Sequence, residues 1–151
     1  MIVLALEAST TSAKAMLFDT DTGSITVRDR RFEVDSAEST SRDGDALYTQ
    51  LMALGREAAA GVEVDLIVLS GTWHGLGLFT PDLRAVTPIM EWSYTGAQDL
   101  CARLRKDQEL TWWFYERTGC MVNAAYPVFK LMHLAEQAPR LQGWSRWIRR
   151  V

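Results

Sequence analysis

The sequence has few of the features that mark several classes of protein. It contains two cysteines, Cys101 and Cys120, which form no CxxC pair and lie at no metal-ligand spacing from a histidine. Only 3 of its 16 basic residues are lysines, and 19 acidic residues are interleaved with them. Its longest apolar runs, 2–6 and 66–69, are far shorter than the roughly 18 residues of a membrane-spanning helix. We therefore expect a reduced cytoplasmic protein with no nucleic-acid or membrane partner.

What is present is enough to build a core. The 151 residues are 48% hydrophobic and include six Trp, four Tyr and five Phe. This predicts one globular domain and excludes a disordered chain. The last residues, 147–151, alternate apolar and polar with no polar tail after them. They predict either a terminal element that docks on the domain or a domain that continues further.

Hydrophobic patterning predicts strands at the start of the chain. Apolar runs at 2–8 and 13–18 are separated by a cluster of hydroxyl side chains, and turn residues at 19–23 precede an alternating segment at 24–34. Strands joined by such short polar turns pair antiparallel. The chain is therefore predicted to begin as a meander of three antiparallel strands.

Helices and a second type of strand follow. A helical stripe over 47–58 has possible caps at Ser41 or Asp43 and at Gly61, and the apolar run 64–69 is typical of a strand buried on both faces. A helix followed by such a strand predicts a crossover to a parallel position. A hairpin over 76–90 and three more helical stripes complete the pattern. These stripes lie at 97–104, at 110–117 before Gly119, and at 131–135 before Pro139. The pattern predicts an α/β domain with a mixed sheet.

Three segments carry polar side chains in positions suited to chemistry. In Glu7–Lys14 a hydroxyl-rich turn follows a predicted strand, so its N–H groups and hydroxyls are able to wrap an anion, and Glu7 is able to hold Mg²⁺. A plain polar hairpin is the alternative. In Gly71–Gly75, Trp73 and His74 offer a face and a hydrogen-bonding group for a sugar, unless His74 is merely satisfied by its neighbours. In Pro88–Ala97, either polar side chains face the same cleft, or Trp92 is core and Ser93 or Thr95 caps a helix.

The order and spacing of these segments resemble the N-terminal domain of the FGGY carbohydrate kinases, which belong to the actin-like and hexokinase-like ATPases. The family's D-x-G-T-[ST]-S-x-K and [SG]-G-Q-M-H-G resemble Glu7–Lys14 and Ser70–Gly75. Its P-A-I-L-W-x-D-x-R-A resembles Pro88–Ala97, and its R-T-G-x-x-x-N-x-x-Y-x-x-x-K-L is similar to Arg117–Leu131. The resemblance covers the whole chain and is strongest for gluconate- and xylulose-kinase-like members.

The resemblance implies an RNase-H-like fold, a mixed sheet flanked by helices, in which residues 1–151 form the single sugar-binding lobe of a two-lobed kinase. Such a kinase transfers the γ-phosphate of ATP, with Mg²⁺, to a hydroxyl of a pentose, hexonate or polyol. Its general base lies in the C-terminal lobe, so no catalytic residue is assigned in this chain, and the chain alone is predicted to be inactive. The implied nucleotide-binding residues are Glu7 (also the metal ligand), Thr10, Thr11, Ser12 and Lys14. The implied sugar-binding residues are Thr72, Trp73, His74, Trp92, Ser93 and Tyr94.

Four departures from the family pattern support a second hypothesis. Glu7 stands for the usual Asp, Ser9 for Gly, Tyr94 for Asp and Gly96 for Arg. These changes favour a non-catalytic sugar-binding module or pseudokinase of the same fold. An RNase-H-like nuclease, a third class, needs several carboxylates at adjacent strand ends, where only Glu7 is well placed. The identity of the sugar and the presence of a homodimer are left open by the sequence.

Overall fold

The structure, a computed structural model, describes residues 1–32 and 40–137. The expectations for the end of the third strand, for Pro139 and for 147–151 lie outside these residues. Two compact units are distinguished: residues 1–73 with 78–88, and residues 74–77 with 89–151. The strands are β1 (Ile2–Ala8), β2 (Ser12–Asp19), β3 (Ile25–Arg31), β4 (Ser41–Arg42), β5 (Leu66–Gly71) and β6 (Ile89–Met90). The helices are α1 (Gly44–Ala58), α2 (Gln98–Leu104), α3 (Gln108–Thr118) and α4 (Pro127–Gln137).

The first unit contains a four-stranded sheet in the order β3-β2-β1-β5. Strands β1, β2 and β3 form the predicted antiparallel meander, and β5 pairs parallel to β1. The turn between β2 and β3 closes through hydrogen bonds between Asp19 and both Gly23 and Ser24, with Gly23 at a φ of 72°. The mixed α/β architecture predicted from the sequence is confirmed.

Helix α1 covers one face of this sheet. Leu54 and Ala58 pack with Leu4 and Leu6 of β1 and with small residues of β2. A Cβ atom at Gly55 would lie 2.9 Å from Leu6 Cδ2, so glycine allows the helix to sit close to the sheet. Because side chains alternate along a strand, Val3, Ala5 and Glu7 of β1 point to the opposite face of the sheet.

The ends of α1 test the predicted caps. Asp43 is the N-cap, and its carboxylate accepts hydrogen bonds from the N–H groups of Asp45 and Ala46. The predicted C-cap at Gly61 is wrong, because the helix ends at Ala58 and Ala59 is the C-cap, donating its N–H to the Gly55 carbonyl. Gly61 has a φ of 78° in the loop that follows. Its conformational freedom is therefore used for the connection to β5.

The prediction that β5 is buried on both faces is wrong. All six of its residues are exposed, and the side chain of Leu69 is 77% exposed. Within the described residues β5 is the edge strand of the sheet, with β1 as its neighbour, and the core around α1 is built on β1 and β2. An apolar run predicts that a strand is suited to burial. It does not predict whether another layer of the structure covers the faces of that strand.

The second unit has its own core. Ala97, Cys101, Val122 and Phe129 are its buried members, which confirms the apolar stripe predicted for α2. Helix α3 ends at Gly119, as predicted, with a φ of 68°. Its predicted apolar stripe is only half-buried, since no residue of α3 is fully buried. Among the described residues, no helix has the length and apolar character needed to cross a membrane.

Candidate functional site

The turn between β1 and β2, residues Ser9–Ser12, is called the phosphate turn here. The Ser9 hydroxyl accepts hydrogen bonds from the N–H groups of Ser12, at 3.0 Å, and Thr11, at 3.4 Å. It also lies 2.8 Å from the Ser12 carbonyl oxygen, to which it donates. Ser12 is only 6% exposed, whereas Thr10 is half-exposed and Thr11 is exposed. Thr10 and Thr11 are therefore accessible to a ligand, while the Ser9 hydroxyl occupies two N–H groups that an anion would otherwise use.

A pair of opposite charges lies beside the phosphate turn. Glu7 and Lys14 face each other across the β1–β2 ladder, with Lys14 Nζ 3.5 Å from Glu7 Oε2. Both side chains are a little under half-exposed and lie on the face of the sheet opposite α1. The described residues contain no group of three side chains able to hold a metal ion. One accessible carboxylate does fit Mg²⁺ that arrives with a nucleotide, because this ion keeps waters and phosphate oxygens as its other ligands.

The parallel pairing of β1 and β5 brings two predicted segments to the same edge of the sheet. Ala8 is in register with Gly71, and the Thr72 N–H donates to the Ala8 carbonyl at 3.2 Å. Thr72 therefore lies beside the start of the phosphate turn. The side chain of Trp73, the next residue, is 80% exposed.

Arg42 also reaches the phosphate turn, and sequence reasoning missed it. Its Nη1 donates to the Ser9 carbonyl at 3.2 Å, and its guanidinium lies 4.7 Å from the centre of the Phe32 ring. The sequence separation of 33 residues gave no signal of this contact. A second cationic group, besides Lys14, thus lies near the turn.

The second unit holds the remaining candidate sugar-binding residues. His74 has a left-handed backbone with a φ of 65°, and its ring meets Tyr126 edge-on at 4.9 Å between centroids. The alternative that Trp92 is a core residue is wrong, because its side chain is 53% exposed. The alternative that Ser93 or Thr95 caps a helix is also wrong, since the N-cap of α2 is Ala97 with no side-chain hydrogen bond.

Tyr94 and Gly96, two of the departures, are sterically linked. A Cβ atom at Gly96 would overlap the phenol ring of Tyr94. The Tyr94 ring also lies 6.3 Å from the ring of His133. The tyrosine therefore occupies space that any side chain at position 96 would need. A tyrosine at position 94 and a glycine at position 96, the two departures from the family pattern, thus fit together sterically.

Lys130, which matches the lysine of the family pattern, is a residue of the second unit to which the sequence assigned no role in the site. It is fully buried, and its Nζ donates to the carbonyls of His74, at 2.6 Å, and Glu91, at 2.5 Å. The Met90 carbonyl is a third acceptor at 3.4 Å. Burial lowers the pKa of Lys130, and the nearby Glu91 carboxylate partly offsets this effect. The sequence signal that could have indicated its burial is the position of this lysine among the apolar residues of α4.

Comparison with protein families identifies the chain. Residues 2–144 match the N-terminal domain of the FGGY family of carbohydrate kinases. The chain belongs to this family. None of the curated proteins matches this FGGY domain in sequence.

Solved structures share the fold of this FGGY domain. A gluconate kinase from Lactobacillus acidophilus superposes with a TM-score of 0.80 at 15% identity, covering 93% of this chain and 29% of that one. A xylulose kinase from Rhodospirillum rubrum gives 0.78 at 20% identity, covering 95% of this chain and 30% of that one. A Plasmodium falciparum glycerol kinase solved with ADP gives 0.75 at 15% identity, covering 94% and 30%. This FGGY domain thus has the fold of the kinases' N-terminal lobe and spans 29–30% of the length of these relatives.

Proposed function

We propose that this domain is the sugar-binding lobe of an ATP-dependent kinase that phosphorylates a hydroxyl of a pentose, a hexonate or a polyol. The observation that carries the proposal is the group of side chains at one edge of the first unit's sheet. There the phosphate turn lies between Glu7, Lys14 and Arg42, and Thr72 adjoins it. A C-terminal lobe would supply the general base and the adenosine pocket.

The charges beside the phosphate turn suit a polyphosphate. Phosphoryl transfer depends mostly on positioning and on stabilising negative charge. Lys14 and Arg42 supply positive charge, and the hydroxyls of Thr10 and Thr11 supply hydrogen bonds to phosphate oxygens. Glu7 would hold Mg²⁺, which neutralises phosphate charge when it is bound. The similarity to a glycerol kinase solved with ADP supports an adenine nucleotide as the ligand.

The aromatic residues suit a sugar. Trp73 and Trp92 are 80% and 53% exposed, although indole rings are usually buried. An exposed indole is able to cover the C–H face of a sugar. Within the second unit, the His74 imidazole and the Ser93 hydroxyl are able to bond to sugar hydroxyls. The half-buried phenol of Tyr94 would then shape the site where the family pattern has a carboxylate.

A ligand-binding screen tests the proposal on the chain itself. D-gluconate, D-xylulose and glycerol are each added with and without Mg²⁺ and ADP, and thermal unfolding is followed. A sugar at about 100 times its Kd stabilises the folded chain by about 2.7 kcal/mol. The matched variants are Trp73→Ala and Trp112→Ala, because Trp112 is also exposed, at 61%, but lies on α3. We expect only Trp73→Ala to lose the sugar response, and equal losses in both variants would contradict the proposal.

A non-catalytic sugar-binding module is the second candidate. It is favoured by the Ser9 hydroxyl, which occupies the N–H groups of Thr11 and Ser12 in the phosphate turn. If this hydroxyl blocks phosphate, the wild-type chain will bind sugar but not ADP, and Ser9→Gly will gain ADP binding. Binding of Mg²⁺ and ADP by the wild-type chain, at an affinity that Ser9→Gly does not improve, would favour the kinase.

A further inference from the structure

Lys130 is a buried cation whose hydrogen bonds end on main-chain carbonyls. Its side chain is 0% exposed on a helix that also buries Phe129 and Ala135. Burying an ammonium is costly unless its donors are satisfied. Lysine has three N–H donors, and three carbonyl oxygens, those of His74, Met90 and Glu91, lie within hydrogen-bonding distance. An apolar residue of similar volume would fill this space without burying a charge, but it would remove the donor that these carbonyls share. The hydrogen bonds, and not packing alone, therefore account for the lysine.

The three carbonyls come from two segments that also pair directly, because Leu76 and Met90 exchange two backbone hydrogen bonds. Both segments are far from Lys130 in sequence. His74 is 56 residues from Lys130, and Glu91 is 39 residues from it. Both segments carry candidate sugar-binding side chains: His74 itself in one, and Trp92, next to Glu91, in the other. Beside the Leu76–Met90 pair, the ammonium group therefore adds a second link between the two segments, at His74 and Glu91, and ties both to α4.

The backbone at His74 needs such support. Its φ of 65° lies in the left-handed region, which is unfavourable for a residue other than glycine and persists only where the surroundings hold it. The ammonium holds the carbonyl of this same residue at 2.6 Å, and the Tyr126 ring contacts its imidazole. The direction of the imidazole thus depends on the bond from Lys130.

We propose that Lys130 is a positioning residue for sugar binding, which holds His74 and the segment beginning at Glu91 in one fixed arrangement. The proposal rests on the proposed function only for the identity of the ligand. The clamp itself, an ammonium joining two backbone segments, is testable without any ligand.

Lys130→Met is the principal variant, because methionine fills much of the same space and donates no hydrogen bond. Lys106→Met is the matched control, since Lys106 is an exposed lysine of the same unit. Two readouts are taken in the folded chains: the Kd for whichever of D-gluconate, D-xylulose and glycerol binds the wild type, and the NMR signals of the side chains. We expect Lys130→Met to weaken sugar binding at least tenfold and to shift the His74 imidazole and Trp92 indole signals. The Trp112 indole signal, from an exposed ring on α3, should stay in place.

A lysine with only a structural role would behave differently. In that case Lys130→Met would lower the melting temperature, but the folded chain would keep the wild-type Kd and the wild-type His74 signal, and this result would overturn the proposal. If no sugar binds the wild-type chain, the proposed function fails, yet the shift of the His74 signal still decides whether the clamp exists.

A measurement on the wild-type chain covers the case in which Lys130→Met does not fold. The ammonium of Lys130 should exchange its protons with water far more slowly than those of Lys14 and Lys106, in a chain labelled with ¹⁵N at lysine. Lys130→Arg keeps the positive charge, and it should bind sugar more tightly than Lys130→Met but more weakly than the wild type. Proton exchange at Lys130 as fast as at Lys106 would refute the clamp.

Discussion

Replacing His74 by glycine and by alanine separates the free-energy cost of its left-handed backbone from the contribution of its side chain to binding. Both variants lose the imidazole, its contact with Tyr126 and any bond it makes to a ligand. They differ in how well the new residue tolerates a φ of 65° and in the conformational entropy that it loses on folding. The difference in stability between the two variants therefore measures the backbone conformation.

The size of this difference follows from two opposing terms. A left-handed backbone costs an L-residue such as alanine about 1–2 kcal/mol and costs glycine almost nothing. Glycine loses more conformational entropy on folding, which returns about 0.4–1 kcal/mol to the alanine variant. We expect His74→Gly to be more stable than His74→Ala by about 1 kcal/mol, and both to bind sugar equally weakly.

Urea unfolding followed by far-UV circular dichroism gives the two free energies of unfolding. Leu83 is the internal control, because it also has a left-handed φ, of 63°, and its side chain is 78% exposed in a hairpin turn of the first unit. The free energy of unfolding of Leu83→Gly should exceed that of Leu83→Ala by a similar amount, and both variants should bind sugar as the wild type does. If His74→Ala is as stable as His74→Gly while the Leu83 pair differs, the left-handed assignment at His74 is wrong.

Three further predictions concern the helix cap, the buried lysine and the isolated chain. Asp43→Ala should lower the free energy of unfolding by about 1 kcal/mol through loss of the α1 cap, and Asp45→Ala, which keeps that bond, should cost less; equal losses would contradict the cap. Because the folded-state pKa of Lys130 lies below its ordinary value of 10.5, the folded chain binds fewer protons than the unfolded chain in the window just below 10.5. The stability of the wild type relative to Lys130→Met should therefore rise with pH across that window in urea titrations, and a fall would refute the lowered pKa. The 151-residue chain alone should not phosphorylate a sugar in a coupled ADP-release assay, and measurable turnover would disprove this.

Local patterns predicted most of the first unit. The hydroxyl cluster and the turn at 19–23 delimit β1 and β2 to within a residue, and Asp43 was among the expected caps. These features depend on contacts between residues close in sequence. The exposure of β5 and the C-cap at Ala59 were not predictable, because they depend on which layer covers the strand and on how the loop leaves the helix.

The candidate site was predicted in its residues more than in its contacts. Trp73 and Trp92 are exposed, and the role of these residues and of the phosphate turn in binding stays a prediction. The Ser9 hydroxyl bonds to N–H groups of the turn because the turn closes on it, and Arg42 contacts the turn because its side chain is long. Neither contact is predictable from the spacing of residues in the sequence. Lys130 was matched to the family pattern without a role, because a lysine between apolar residues of a helix normally extends to solvent, whereas here its ammonium donates to main-chain carbonyls.

The exposed edge strand β5 has a consequence for work at high protein concentration, because an unprotected edge strand is a template for pairing with another molecule. Its sequence, Leu66–Gly71, contains no proline, lysine or acidic residue, and these are the residues that usually prevent edge strands from pairing with another molecule. Its apolar side chains are exposed as well, so a second copy that aligned its own β5 there would gain both hydrogen bonds and burial. Self-association through this strand would compete with folding during refolding and with ligands during titration. A charged residue at Leu69, whose side chain is 77% exposed, is the smallest change that would keep the chain dispersed.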